Sequence, residues 1–157
     1  MFYHVTHPSL LNSILKNGLN PNPKNQVTIN LNNVIGQYLD DSIIDARVNG
    51  VYLYYSKDTP DFTDKKFQKF SILEVTLEDT TENTYCADSS YIDPIMQDVV
   101  RYMYQQPTDL NKDDVYELVR RYEDSWGEFN INIVSNFTNP EVIYVGSISP
   151  HQLRVLK

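Results

Sequence analysis

Apolar residues occur in this chain in short runs of two different periodicities, and this mixture restricts the fold more than any other feature. Runs rich in β-branched and aromatic residues, which favour strands, lie near both ends of the sequence. Stripes with helical spacing lie between them, most clearly at 92–125. Since no repeat or linker divides the 157 residues, we predict a single α+β domain spanning 1–157.

The periodicities also predict where the elements lie. Strands are predicted at 1–6, 51–55, 70–78, 129–133 and 141–145, the third and fourth with the alternation of half-buried strands. Helices are predicted after Pro8, at 38–48, and twice within 92–125. The segment 20–35, which is rich in Asn and Pro, is predicted to be a loop.

The N-terminal unit has the clearest local signals. Its strand is followed by Pro8, whose missing N–H costs nothing in the first turn of a helix, and by hydroxyl side chains that can cap that helix. An apolar stripe then leads to Gly18, which can adopt a positive φ after the last turn. The order predicted is therefore strand, short helix and glycine stop.

The formal net charge of −8, from 13 Lys and Arg against 21 Asp and Glu, disfavours non-specific binding to nucleic acid. A local basic groove remains compatible with this charge. The lysines available to build one are Lys24, Lys57, Lys65, Lys66 and Lys69.

Cysteine and histidine are too scarce for several classes of site. Because Cys86 is the only cysteine, an intrachain disulfide and a zinc site built mainly from thiolates are excluded. The three histidines are too far apart in the sequence to indicate a metal site. No apolar run approaches the roughly 20 residues that cross a bilayer, so we expect a cytoplasmic protein.

Three short motifs carry the functional signal. Tyr3-His4-Val5-Thr6 precedes the helix that closes in Ile14-Leu15-Lys16-Asn17-Gly18-Leu19, Gly50-Val51-Tyr52-Leu53 opens a strand, and Glu141-Val142-Ile143-Tyr144-Val145 forms a late strand. In this order the motifs resemble the ADP-ribosyltransferases of the His-Tyr-Glu type, which include poly-ADP-ribose polymerases and diphtheria-like toxins. The resemblance covers residues 1–20, 50–60 and 139–156, and leaves the middle of the chain unassigned.

The resemblance implies an ADP-ribosyltransferase-like fold of split antiparallel sheets with flanking helices, and NAD as a substrate. It also implies a catalytic set of His4, Tyr52 and Glu141. The residues expected to contact NAD are His4, Val5, Thr6, Tyr52, Tyr54 and Ser56, with Thr59 as the alternative to Ser56 for a hydroxyl near nicotinamide.

The chemistry of NAD cleavage explains these residue types. Breaking the nicotinamide–ribose bond passes through an oxocarbenium-like state, which a carboxylate such as Glu141 stabilises. The His4 imidazole can hydrogen-bond a ribose hydroxyl, and the Tyr52 ring can stack on nicotinamide. Each residue alone also has a structural interpretation: strand packing for His4 and Tyr52, and a charge that blunts a sheet edge for Glu141.

The sequence leaves the acceptor of ADP-ribose open. The main hypothesis is mono-ADP-ribosylation of a protein by a toxin or a phage-borne effector. The segment 6–15 is also similar to the opening of DNA-modifying toxin transferases, which makes nucleic acid the alternative acceptor. Asn139 lies two residues before Glu141, where arginine-modifying relatives carry Glu or Gln. Because an amide cannot act as a base, arginine is the less favoured acceptor.

Two further hypotheses belong to other classes. An inactive NAD-binding or interaction module would keep the fold but place Glu141 away from His4 and Tyr52. An RNA 2′-phosphotransferase shares the fold and uses NAD, but relies on several Arg and His residues. The scarcity of His and the lone Arg47 near Tyr52 argue against it.

Overall fold

The computed structural model describes residues 1–21, 25–57, 61–78 and 82–157. The strands in these ranges are β1 (Phe2–Thr6), β2 (Gly50–Tyr55), β3 (Ser71–Val75), β4 (Thr84–Asp88), β5 (Gly127–Glu128), β6 (Pro140–Val145) and β7 (Leu153–Val155). They form one sheet in the order β5-β4-β6-β2-β1-β3-β7, and every neighbouring pair is antiparallel.

Helices account for much of the remaining chain, so the predicted α+β class is confirmed. They are α1 (Pro8–Asn17), α2 (Gln26–Ile35), α3 (Asp41–Val48), α4 (Asp93–Met103), α5 (Lys112–Ser125) and α6 (Ile131–Val134). The helices predicted at 38–48 and within 92–125 correspond to α3, α4 and α5. In the part of the chain that the structure describes, none of the helices has the length and apolar character needed to cross a membrane.

Each face of the sheet carries an apolar core. Neighbouring residues of a strand point to opposite faces, and accordingly Val142 belongs to one buried cluster whereas Ala87, which pairs with Glu141, belongs to the other. The second cluster is completed by residues of α2, α3, α4 and α5. We call the face that packs against these helices, and that carries Ala87 and Glu141, the helical face.

Helix α1 begins and ends where the sequence predicts, although its cap is not a hydroxyl. The N-cap residue is His7, whose imidazole accepts a hydrogen bond from the Ser9 N–H at 3.3 Å. Gly18 ends the helix at φ +80° and donates its N–H to the Ile14 carbonyl at 2.8 Å. A Cβ at Gly18 would lie 2.2 Å from the Ile148 carbonyl oxygen, so this stop also needs a residue without a side chain.

The loop predicted at 20–35 is wrong for most of its length, because Gln26–Ile35 forms α2. Asparagine disfavours helix interiors but is a strong N-cap residue. The Asn25 side chain accepts hydrogen bonds from the Val27 and Thr28 N–H groups at 3.0 and 3.3 Å. Burial of apolar residues of α2 in the second cluster then outweighs the poor helix propensity of the segment.

The strand predicted at 129–133 is also wrong. Asn130 caps the short helix α6, since its side chain accepts the Asn132 N–H at 2.9 Å. The alternation of Ile and Asn suggested one buried face, but Ile131 and Ile133 are 52% and 50% exposed, whereas Val134 is fully buried. The Asn130 cap, and not the two-residue periodicity, therefore determines that this segment forms a helix.

Two strands are more buried than the sequence indicates. No strand is predicted at Thr84–Asp88, because its polar ends hide the signal, yet β4 lies between β5 and β6 inside the sheet. β3 is predicted as half-buried, but Ile72 and Leu73 both have 0% exposure. Position inside the sheet buries both faces of these strands.

The strands form one sheet where two split sheets are expected, but this sheet opens near its centre. β1 and β2 pair only through Phe2 with Tyr55 and Tyr3 with Tyr54. Continuing that register would pair His4 with Leu53, and the two described strands do not form this pair. β1 therefore separates from β2 immediately before His4, while it stays paired with β3 along its whole length.

Gly50 allows a close contact between β2 and its neighbours. A Cβ there would lie 2.1 Å from Ile143 Cγ2 and 2.6 Å from the Ala46 carbonyl oxygen, whereas a Cβ at Gly127 would meet nothing within 4 Å.

We expect Gly50→Ala to lower the free energy of unfolding by about 1–3 kcal/mol through overpacking, and Gly127→Ala to change it by less than about 0.5 kcal/mol. Urea denaturation of both variants checks this, and equal effects would contradict it.

Candidate active site

Glu141 lies in the interior of the sheet. It is the second residue of β6, and it pairs with Tyr54 of β2 on one side and Ala87 of β4 on the other. Directly paired residues point to the same face, so Glu141 and Tyr54 both project onto the helical face, as does Tyr52 two residues earlier in β2. Because β6 has a strand on both sides, Glu141 does not blunt a sheet edge.

A buried arginine holds the Glu141 carboxylate. Arg47 of α3 is 2% exposed, and its Nη1 donates to Glu141 Oε1 at 2.6 Å. The Tyr122 hydroxyl of α5 donates to the same oxygen at 2.6 Å and itself accepts a hydrogen bond from Arg47. Among the described residues, both hydrogen bonds that the Glu141 carboxylate accepts go to Oε1. The Glu141 side chain keeps 16% exposure. One carboxylate oxygen is thus anchored by two donors.

Arg47 is itself enclosed on several sides. Its Nε donates to Asn32 Oδ1 of α2 at 2.8 Å, and its guanidinium carbon lies 5.4 Å from the Tyr52 ring centroid and 5.3 Å from that of Tyr122, within range of cation–π attraction. The Tyr52 hydroxyl donates to the Arg47 carbonyl at 2.9 Å. Arg47 therefore connects Tyr52 and Glu141, two of the residues that the sequence selects.

The charge states in this cluster follow from burial and from the ion pair. Burial opposes the positive charge of Arg47 and is the largest single effect on it, but the Glu141 carboxylate together with Tyr122 and Tyr52 outweighs burial and raises the arginine pKa. Burial, reinforced by Glu141, raises the pKa of Tyr122 well above its ordinary value. The Tyr122 hydroxyl thus remains protonated at neutral pH and serves as a donor to Glu141.

His4 lies where β1 leaves β2. Its Nδ1 is 3.2 Å from the Tyr52 carbonyl oxygen. A carbonyl only accepts, so this contact places the proton of the neutral ring on Nδ1 and leaves Nε2 as an acceptor. Burial lowers the pKa of His4 below 6.5, which keeps the ring neutral at pH 7.

The structure brings His4, Tyr52 and Glu141 into one region but not onto one face. Tyr52 and Glu141 share the helical face and are joined through Arg47. His4 pairs with Leu73 of β3 and projects to the opposite face. It reaches the Tyr52 backbone through the opening between β1 and β2. The opening therefore adjoins His4 and the Tyr52 backbone.

The other predicted NAD contacts lie along the same strands. Tyr54 is 53% exposed, and its ring packs edge-on against Phe67. Val5 and Thr6 follow His4 and pair with β3. Ser56 lies at the opposite end of β1, where its backbone hydrogen-bonds Met1 at 3.0 and 3.1 Å. Thr59 is outside the described residues.

A segment that carries lysines borders this region. Lys65–Phe67 forms a 3₁₀ turn, and Lys57, Lys65 and Lys69 are exposed. Phe67 brings the turn against Tyr54, and the Lys157 ammonium donates to the Phe67 carbonyl at 3.1 Å. Of the lysines considered for a basic groove, Lys24 and the side chain of Lys66 are outside what the structure describes.

Sequence reasoning missed the residues that hold Glu141. Arg47 follows Ile43 by four positions, so both side chains lie on one side of α3, and both are buried. The sequence suggests Val48 for the apolar stripe instead, but Val48 is 45% exposed. A charged residue at a core position of an otherwise apolar helical stripe is the signal that could have identified Arg47.

An apolar cleft lies elsewhere, among the helices. It has a volume of about 400 Å³, lies between α2, α4 and α5, and is lined by residues that include Val34, Val99 and Tyr102. Across the ranges that the structure describes, no group of three or more His, Cys, Asp or Glu side chains could hold a metal ion.

Comparison with known proteins does not assign the chain to a family. No family model, no curated protein and no solved structure matches it.

Arg47 is a buried partner of the partly buried Glu141 carboxylate, so its removal should be costly. We expect Arg47→Met to lower the free energy of unfolding by about 3–5 kcal/mol, since Glu141 would lose its countercharge. The control is Arg121→Met, which breaks an ion pair with Glu117 in which both side chains are more than half exposed; it should cost less than about 1 kcal/mol. Similar losses in the two variants, measured by denaturant unfolding, would contradict a structural ion pair at Arg47.

His4 should make stability depend on pH in one direction. Its pKa is lower in the folded state than the ordinary 6.5, so the unfolded chain binds the proton more readily. The free energy of unfolding is therefore unaffected by His4 above about pH 6.5 and falls as pH drops from there through the folded-state pKa. His4→Asn keeps an amide donor near the Tyr52 carbonyl but does not titrate. If wild type and variant lose stability in parallel between about pH 7.5 and pH 5, this prediction is wrong.

Proposed function

We propose that this chain is an NAD-dependent mono-ADP-ribosyltransferase that modifies a macromolecule. The observation that carries the proposal is the position of Glu141. Among the described residues its carboxylate is anchored through Oε1, it keeps partial exposure, and it lies on β6, the strand that pairs with Tyr52 and Tyr54 of β2. A carboxylate that is oriented by protein donors but not fully enclosed suits the stabilisation of a developing positive charge.

In this proposal Glu141 acts through Oε2. Arg47 and Tyr122 fix the orientation of the carboxylate, and Oε2 faces the ribose whose bond to nicotinamide breaks. Preorganisation of this kind lowers the barrier because the carboxylate need not reorient as charge develops. The ion pair with Arg47 reduces the net charge, so the contribution depends on the short distance between Oε2 and the ribose.

His4 and Tyr52 would bind NAD at the opening between β1 and β2. The Nε2 of neutral His4 can accept a hydrogen bond from a ribose hydroxyl. Arg47 covers one side of the Tyr52 ring, so nicotinamide would stack on the other side. Tyr54, which is more exposed than Tyr52, extends the aromatic surface toward the acceptor.

Protein is the first candidate acceptor, because the chain carries a net charge of −8 and repels a phosphate backbone at long range. Nucleic acid is the second candidate, and one observation favours it. Three exposed lysines (Lys57, Lys65 and Lys69) lie within three residues of Tyr54 or of Phe67, which packs on it. Exposed aromatic rings beside lysines are the elements that bind single-stranded nucleic acid.

The two hypotheses from other classes gain less support. An inactive module would separate Glu141 from His4 and Tyr52. Arg47 connects Glu141 to Tyr52, whereas His4 reaches only the Tyr52 backbone from the opposite face. A 2′-phosphotransferase would need several Arg and His residues, and the site assembled from described residues draws on Arg47 and His4.

Labelled NAD, incubated with the purified protein and total cell lysate, tests the proposal. We expect Glu141→Gln to reduce label transfer by about 10²–10³-fold, the usual cost of removing one electrostatic group from a catalytic site. Glutamine keeps an oxygen for Arg47 and Tyr122, which favours retention of the fold. The control is Glu74→Gln, since Glu74 is also a strand glutamate paired with an arginine, Arg154, and it should retain full transfer.

The labelled product identifies the acceptor. Label that is removed by protease indicates a protein acceptor, and label that is removed by nuclease indicates nucleic acid. NAD binding without release of nicotinamide would leave only a binding module. Absence of NAD binding to the wild-type protein would overturn the proposal.

A further inference from the structure

Asn139 has a carboxylate partner that the sequence does not reveal. Its side-chain Nδ2 donates to Asp93 Oδ2 at 2.9 Å. Asn139 is exposed and Asp93 is half-buried. Asn139 lies two residues before Glu141, and its contact with α4 places its side chain toward the helical face. An amide and a carboxylate are therefore adjacent where the chain enters β6, near Glu141.

The backbone that carries this pair is held firmly. Asp88, at the end of β4, accepts hydrogen bonds from the Thr138 and Asn139 N–H groups at 2.8 and 3.0 Å. The Asn139 carbonyl in turn accepts from the Ser89 N–H at 2.9 Å and from the Ser89 hydroxyl at 3.1 Å. The approach to β6 is thus fixed relative to the start of α4, so the spacing between Asp93, Asn139 and Glu141 is set by the fold.

Asp93 does not serve as a cap for its own helix. α4 begins at Asp93 with Ile92 as its N-cap residue, and no side chain caps it. The hydrogen bond that the structure gives the Asp93 side chain runs away from α4, to Asn139. A favourable interaction with the helix dipole explains an acidic residue in the first turn, but it does not explain this outward orientation.

We propose that Asp93 is the acceptor-side base of the transfer reaction, and that Asn139 orients its carboxylate. This inference rests on the proposed function. The acceptor oxygen or nitrogen forms a bond to C1 of the ribose while the bond from C1 to the nicotinamide nitrogen breaks. The bonding electron pair leaves with nicotinamide, which becomes neutral, and the acceptor proton passes to the Asp93 carboxylate. The Asn139 amide cannot accept that proton, whereas the Asp93 carboxylate can.

The charges around Asp93 are consistent with a proton acceptor. Burial, reinforced by the nearby Glu141 and Asp88 carboxylates, raises the pKa of Asp93 above 3.8, although the Asn139 hydrogen bond opposes the rise. A raised pKa makes a carboxylate a stronger base. Glu141 and Asp93 thus divide the work: one stabilises the ribose cation and the other accepts the acceptor proton.

The test measures how NAD is partitioned between transfer and hydrolysis, with labelled NAD and total cell lysate as the acceptor pool. The ratio of label transferred to label hydrolysed does not depend on how much of a variant is folded. We expect Asp93→Asn and Asp93→Ala each to lower this ratio by about 10–100-fold, because both lose the base. The control is Asp113→Asn, an acidic residue in the first turn of α5, which should leave the ratio unchanged.

The Asp93→Asn variant distinguishes a role of Asp93 as the base from a role in which it only positions Asn139. Its side-chain oxygen can still accept the hydrogen bond from Asn139, so an Asp93 that only anchors Asn139 would leave the ratio unchanged in Asp93→Asn and lower it in Asp93→Ala. That outcome overturns the inference, as does an unchanged ratio in both variants. A wild-type protein that hydrolyses NAD without any transfer also overturns the inference about Asp93, although it would show that the protein cleaves NAD. A wild-type protein that releases no nicotinamide defeats the proposed function itself.

Discussion

The ion pair between Arg47 and Glu141 is the interaction on which the arrangement of this protein depends. A guanidinium that is 2% exposed is tolerable only when its donors are satisfied and its charge is balanced. The partners come from three separate elements: Asn32 in α2, Tyr122 in α5 and Glu141 in β6. Each of these must therefore be in place for Arg47 to be buried. The helical layer and the sheet are locked together at the point where the candidate site lies.

This arrangement makes stability and the proposed catalysis use the same residues. Arg47 and Tyr122 hold one oxygen of Glu141, while Asp93 and Asn139 form a separate pair where the chain enters β6. A ribose cation and an incoming acceptor would then meet separate carboxylates, so that neither has to change role during the reaction. The opening between β1 and β2 leaves the sheet intact, because β1 remains paired with β3.

Several elements could be predicted from sequence because their signals are local. β-branched and aromatic runs predict β1, β2 and β6, and strong apolar stripes predict α4 and α5. The failures share a physical cause. Asn25 and Asn130 act as helix caps where Asn was interpreted as a loop or strand residue, and β4 is buried by neighbouring strands although its sequence carries little alternation. In each case side-chain capping hydrogen bonds or tertiary neighbours outweigh the periodicity.

The sequence by itself determined the α+β class, the strand, helix and glycine stop of the N-terminal unit, and the order in which His4, Tyr52 and Glu141 occur. Periodicity, capping and turn chemistry act over a few residues, so these features can be read without a structure. Only the tertiary structure decided that Arg47 is buried against Glu141, 94 residues away, and that Asp93 meets Asn139, 46 residues away. Such pairings depend on how the sheet and helices pack, and no short-range pattern in the chain encodes them.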